Sequence, residues 1–255
     1  MIHPTAIIHK NAEIDNGVDI GPYCIVEEKA TIRKGTKLLG HVVIQGNTTI
    51  GEGCTISPFA SIGGPPQDIS YKGENTTLHI GSNNIIKEYV TINKGSVHGG
   101  GTTEVGNNNF IMAYAHIAHD CKVGSNIIMA NCATLAGHVE VADSVTFAGL
   151  CAVHQFCRVG KYAFISGITG VPKDVPPFVI AAGSRAELYG LNVVGLERHG
   201  FAKEDISQLK KAYRILFRSS LPLTTSLKVI QEELKGEHID ELIHFIQASK
   251  RGICR

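Results

Sequence analysis

Large aliphatic side chains recur every six residues along most of this chain. Stepping by six from Ile2 meets Ile8, Ile14, Ile20, Val26 and Ile32, then Leu38, Ile44, Ile50, Ile56 and Ile62, eleven positions without an exception. The same phase returns at Ile80, Ile86 and Ile92, slips by one residue, and runs on from Val105 to Val171, giving 26 such positions in all. Four residues after each comes a small or β-branched residue, as at Ala6, Ala12, Val18, Cys24 and Ala30. A unit of six is too short for a helix and too regular for ordinary hairpins, and it fits the hexapeptide repeat of a parallel β-helix. Each hexad supplies a short strand and a turn, and three hexads close a triangular coil. The 26 positions make nearly nine coils, a prism on the order of 40 Å long at about 4.8 Å per coil. Glycine often follows the aliphatic position, as at Gly21, Gly51 and Gly81, and we expect it to serve the corners, where positive φ is easiest without a Cβ.

The repeat breaks twice, at about 63–79 and 94–104, and both breaks read as loops projecting from the prism, where function commonly sits. After Val171, Pro172, Pro176 and Pro177 end the pattern. Residues 1–183 therefore read as the β-helix, and 184–255 as a connecting segment and a helical C-terminal domain. Within the latter, 202–218 place Ile206, Leu209, Ala212, Tyr213, Leu216 and Phe217 at helical spacing. Two further helical stretches hold Leu227, Ile230 and Leu234, then Ile239, Leu242, Ile243 and Ile246.

Composition narrows the function. With 24 Lys plus Arg against 23 Asp plus Glu, no global basic field exists to attract nucleic acid. No apolar run approaches the roughly 20 residues a bilayer demands, and no signal peptide opens the chain, so a cytoplasmic protein without a membrane span is expected. Seven cysteines without a C-x-x-C pair argue against a disulfide framework or structural zinc. Five of them fall in the small inward slot and read as core. A mild basic excess at Lys203, Lys210, Lys211, Arg214 and Arg218 fits either a solvated helix face or a landing surface for an acidic protein.

Residues one coil apart stack, which sets Asp120 under His138 and Gly137 over His119. His116, His119, Asp120, His138, His154 and Gln155 thus fall within about three coils. Ile117 and Cys121 take the inward slots, leaving His119 on the turn between them. Such a group suits acyl transfer. His119 can take a proton from the nucleophile, Asp120 can orient the imidazole, and the Gly137 N–H can meet the developing oxyanion. No G-x-S-x-G nucleophile elbow is present.

The hexads resemble those of the hexapeptide-repeat acyltransferases, which implies a left-handed coil, an exception to the usual crossover hand. More specific strings are Pro66-Gln67-Asp68, Ala115-His116-Ile117-Ala118-His119-Asp120-Cys121, Ala133-Thr134-Leu135-Ala136-Gly137-His138, Ala152-Val153-His154-Gln155-Phe156-Cys157, Asp174-Val175-Pro176-Pro177, and Gly190-Leu191-Asn192 through Gly195-Leu196-Glu197-Arg198. In this order they resemble the UDP-N-acetylglucosamine O-acyltransferases that begin lipid A synthesis. The resemblance implies a homotrimer with clefts between neighbouring prisms. It implies a 3-hydroxyacyl donor on the phosphopantetheine of acyl carrier protein, with no other cofactor and no metal. It implies that Gln67, Asp68, His116, His138, His154 and Gln155 hold the sugar nucleotide, and that Asn192 and Arg198 meet the pantetheine arm. Gly167, stacked on Gly149, takes the family's place for a ruler of acyl length. Two departures stand out. Ser70 replaces the family's common Lys, and His199 replaces a frequent second Arg, which leaves a 3-amino sugar open as acceptor.

Three rival readings differ in class. A zinc hydrolyase of the γ-carbonic-anhydrase type would use His116, His119 and His138. The sister N-acyltransferase usually carries an N-terminal domain, for which a repeat under way at Ile2 leaves no room. A non-catalytic scaffold would make the histidines incidental.

Overall fold

A computed structural model describes residues 1–255. Strands of mostly two residues pair in parallel, and successive hexads pass to three different sheets in turn. The first sheet begins at Ile7–Ile8, the second at Glu13–Ile14 and the third at Asp19–Ile20. The result is a left-handed β-helix followed by helices. In each strand the lattice residue points inward. Ile32, Leu38, Ile44, Ile50, Ile56 and Ile62 lie in one core cluster with Cys24, Cys54, Cys121, Cys151 and Cys157. Burial pushes the Cys121 thiol up to about 12 and those of Cys151 and Cys157 to about 11, consistent with inert core residues.

Register explains the two breaks. Ordinary neighbours are eighteen residues apart, as with Ile25 and Val43, but Ser61 pairs with Thr91 and Thr91 with His116. The first loop therefore inserts twelve residues, two whole hexads, and the phase survives. The second inserts seven, one hexad and one residue, which is the slip seen in the repeat. Both loops leave the same corner, between the first and second sheets.

The corners overturn one expectation. Positive φ falls three residues after most of the aliphatics, and most occupants are not glycine: Tyr23, Lys29, His41, Phe59, Tyr89, Asp120 and His138 all adopt it. Most of their amides bond to the coil before, as His41 N–H does to Pro22 O at 2.9 Å. Glycines directly after the aliphatic, Gly63 at the first break apart, have ordinary φ. They are needed for close approach instead, since a Cβ on Gly51 would meet the backbone of Gly81 at 2.6 Å.

Beyond the last hexad, Val179–Ala182 and Glu187–Leu191 extend the third sheet, the second of them antiparallel. Part of the expected connecting segment is thus strand and part is helix α1, Val193–Arg198. Helix α2 spans Lys203–Phe217, α3 Leu223–Glu233 and α4 Glu237–Gln247. Helix α3 starts ahead of the expected stretch because Pro222 takes the position before its first turn. Leu209, Leu216, Ile230, Ile239, Leu242 and Ile246 join Phe178 and Leu196 in a second core. Of the basic residues along α2 and at its C-cap, Arg218 is tied into the fold, donating to Leu188 O at 2.8 Å.

Candidate active site

The corner between the first and second sheets carries the histidine group. Ile117 fixes the strand, so His119 and Asp120 take the two turn positions. Asp120 adopts φ 60°, its side chain is fully buried, and its N–H donates to Thr103 Oγ1 at 2.8 Å. The second loop covers it. Ser96 N–H donates to Asp120 Oδ1 at 2.8 Å and Ser96 Oγ to Oδ2 at 2.6 Å. Gly99 lies against the same carboxylate so closely that a Cβ would run into it. Fully buried carboxylates require such partners.

His119 Nδ1 sits 2.7 Å from Asp120 Oδ2. With Nδ1–H donating to the carboxylate, Nε2 keeps its lone pair and is free to act as a base. Gly137 lies over that edge of the ring, where a Cβ would stand 2.8 Å from Nε2. The Gly137 N–H donates to no group of the chain. A donor without a partner therefore borders the basic nitrogen.

His138 packs edge-on against His119 and stacks on Phe156, with ring centroids 4.3 Å apart. Its Nε2 is 3.7 Å from Asp120 Oδ2. Burial holds the His138 pKa below the ordinary imidazole value, against the opposing pull of Asp120. Burial lowers His116 likewise, and its Nδ1 contacts Thr91 Oγ1 at 2.7 Å. From the first loop, Asp68 accepts from Ser70 N–H and Oγ at 2.9 and 2.8 Å. These bonds, helped by nearby His119, hold its carboxyl below the usual range. Ser70 thus orients Asp68. Gln67, His154 and Gln155 are exposed.

The remaining candidates lie elsewhere on the chain. Gly149 and Gly167 stack in one column, a Cβ on Gly167 coming 3.4 Å from Gly149 O. Asn192 caps α1, accepting from Gly195 N–H, and donates to Tyr162 O. Arg198 and His199 border a separate cavity of about 370 Å³ against the third sheet, with Asn192, Ile128 and Phe164. The chain does not bring these residues to His119. The three groups whose ligand atoms converge, within 4.8 Å, are His119, Asp120 and His138, so His116 is not the third partner that a zinc reading expects.

Residues 174–254 match the family described as Udp N-acetylglucosamine O-acyltransferase, Domain 2, and residues 29–64 and 102–137 match the bacterial transferase hexapeptide. A curated relative from Thermodesulfovibrio yellowstonii, named as an acyl-(acyl-carrier-protein)–UDP-N-acetylglucosamine O-acyltransferase, is 58% identical, covering 100% of this chain and 99% of the relative. The chain belongs to this O-acyltransferase family. A solved UDP-N-acetylglucosamine acyltransferase from Francisella novicida shares 41% identity with a TM-score of 0.97, over 100% of this chain and 94% of that one. The Arabidopsis enzyme shares 37% with a TM-score of 0.90, over the full length of both. Membership of the O-acyltransferase family leaves the zinc hydrolyase reading without support.

Sequence reasoning missed several partners at this corner. Ser96 and Gly99 bury Asp120, Thr91 holds His116, and Phe156 supports His138. Arg251, from the C-terminal tail, donates to His154 Nδ1 at 2.9 Å. The glycine run at 99–101 signalled a loop, but only the fold shows what that loop covers. No helix is long and apolar enough to cross a membrane.

Proposed function

We propose that this chain transfers a 3-hydroxyacyl group from the thioester of acyl carrier protein to the 3-position of UDP-N-acetylglucosamine, the first step of lipid A synthesis. The observation that carries the reading is the arrangement of Asp120, His119 and Gly137 at one corner. His119 Nε2 takes the proton of the sugar 3-hydroxyl as that oxygen attacks the thioester carbonyl. Asp120 stabilises the imidazolium that forms, and Gly137 N–H donates to the tetrahedral oxyanion. Collapse breaks the C–S bond, and the imidazolium returns its proton to the departing thiolate. The products are the O-acylated sugar nucleotide and free carrier thiol. No resident cofactor is needed, because the acyl group arrives on the carrier's phosphopantetheine. The four free basic residues on the exposed face of α2, Lys203, Lys210, Lys211 and Arg214, suit the docking of an acidic carrier.

Asp68, Gln67, His116, His138, His154 and Gln155 hold the acceptor in this reading. Asn192 and Arg198 receive the pantetheine arm from a neighbouring copy, so the working unit is a cytoplasmic homotrimer. The faces of the prism support this arrangement. Outward residues of the second sheet are polar or charged, as at Glu104, Lys122, Glu140 and Arg158. Those of the third include Ile85, Phe110 and Ile128, and those of the first Ile7 and Ile25, all over one-third exposed. Packing the first face of one copy on the third face of the next gives a closed ring and faces His119 toward the neighbour's Arg198. The 3-amino analogue is a second acceptor that Ser70 and His199 keep in view.

The test is product analysis by mass spectrometry with 3-hydroxyacyl carrier protein of several chain lengths, offering the 3-hydroxy and 3-amino sugar nucleotides in competition. The expected product is the 3-O-acyl sugar nucleotide, and the His119→Ala protein forms it roughly 10²-fold to 10⁴-fold more slowly. No acyl transfer from any carrier thioester by the wild-type protein refutes the reading.

A further inference from the structure

After α4 the chain turns back onto the prism. Asp174 N–H donates to Gly252 O at 3.0 Å, and Cys254 N–H donates to Asp174 O at 2.8 Å. The buried Asp174 carboxylate accepts from Arg158 N–H at 2.9 Å and Ser249 Oγ at 2.7 Å. The tail is thereby pinned at both edges of Arg251. That side chain donates from Nε to Pro172 O at 3.0 Å and from Nη2 to His154 Nδ1 at 2.9 Å. Ala248, Lys250 and Arg251 form one wall of a cavity of about 690 Å³ whose other walls include Asp120, His138 and Phe156. The C-terminal residues are thus part of the site rather than a trailing end.

A guanidinium has five N–H donors and no acceptor, and it stays charged. Facing it, His154 Nδ1 must present its lone pair, so the ring proton resides on Nε2. The competing contact, Nδ1 to Gln155 O at 3.2 Å, is a hydrogen bond only for the other tautomer, whose Nδ1–H would meet the guanidinium N–H head-on. The exposed Nε2–H is then a fixed donor, suited to an oxygen of a sugar hydroxyl or phosphate.

We propose that Arg251 is a positioning residue for the acceptor. It locks His154 in the Nε2–H tautomer, and His154 donates that hydrogen to the UDP-sugar. The proposal rests on the acceptor-binding role given to His154 above. Calorimetry of UDP-N-acetylglucosamine binding to the assembled protein tests it with Arg251→Ala, Arg251→Lys, His154→Ala and the double variant. Arg251→Ala weakens binding roughly tenfold, the size expected for a lost charged hydrogen bond. Arg251→Lys, which keeps a donor for Nδ1, recovers most of it. In the His154→Ala background, removing Arg251 adds less than about twofold, because the residue acts through His154. Long-range nitrogen spectra of histidine-labelled protein, with His154 assigned by its loss in His154→Gln, show the Nε2–H tautomer in the wild type and a mixture in Arg251→Ala. Unchanged affinity in Arg251→Ala, multiplying effects in the double variant, or an Nδ1–H tautomer in the wild type each overturns the proposal while leaving the acyltransferase reading intact. Failure of the wild-type protein to bind UDP-N-acetylglucosamine overturns both.

Discussion

At the scale of single residues, the absence of a side chain carries as much chemistry as its presence. Gly137 leaves an unpartnered N–H beside His119 Nε2, and Gly99 lets the second loop close over Asp120. Gly167 is a different case. It is exposed, its φ is ordinary, and the nearest atom to a Cβ placed there is Gly149 O at 3.4 Å. A larger residue is therefore accommodated without unfolding the coil and projects along the Gly149 column. Gly167→Met accordingly shifts the preferred acyl chain to a shorter one in a competition assay among carrier thioesters. Unchanged preference removes Gly167 from the acyl groove. The histidines, Asp120 and Gly137 were legible in the sequence because coil stacking converts a separation of one coil into contact, whereas Gly167 stood out only through the family resemblance. Ser96, Thr91 and Arg251 were not, since each reaches the site from a loop, across an insertion or from a tail that the repeat does not index.

At the scale of the coil, the period of six was legible because the lattice slot on each strand takes a large apolar side chain, while the slot four residues on also admits buried Thr36, Thr48, Asn84 and Asn109. Corner conformation was not, because the left-handed residue points its side chain outward and tolerates Tyr, Lys, His, Phe or Asp. A left-handed conformation costs roughly 1–2 kcal/mol for a residue with a Cβ, offset here by bonds such as Tyr114 N–H to Glu88 O at 3.0 Å. One corner also stacks the rings of Tyr23, His41, Phe59, Tyr89 and Tyr114 at 4.9 to 5.1 Å. Around the histidine corner, coil packing buries His116 and His138 and lowers both pKa values below the ordinary 6.5. Between the folded value and that ordinary one, the unfolded chain binds more protons, so stability rises with pH and is lost as pH falls. Melting temperature therefore declines from about pH 7.5 to 5.5, on either side of the imidazole value, and His116→Gln shows a shallower decline. An equal slope in the variant would remove His116 as a contributor.

At the scale of the whole molecule, one chain carries two separate groups of candidate residues. His119, Asp120 and Gly137 stand at the corner of the first and second sheets, while Asn192, Arg198 and His199 line a cavity against the third. Sequence could name both sets but could not show that they lie apart on the same prism, since only the three-sheet wrapping assigns residues to faces. The polar second face and the apolar patches on the other two favour assembly, and in the proposed cyclic trimer the two sets meet across each boundary. Mixing two inactive variants measures this most directly. His119→Ala and Arg198→Ala proteins, each at least about tenfold impaired alone, are unfolded, mixed in equal amounts and refolded, and acyl transfer from carrier thioester to UDP-N-acetylglucosamine is followed. Recovery to about a quarter of the wild-type rate is expected, the share of boundaries with both residues intact under random cyclic assembly. A mixture no more active than its components would contradict it.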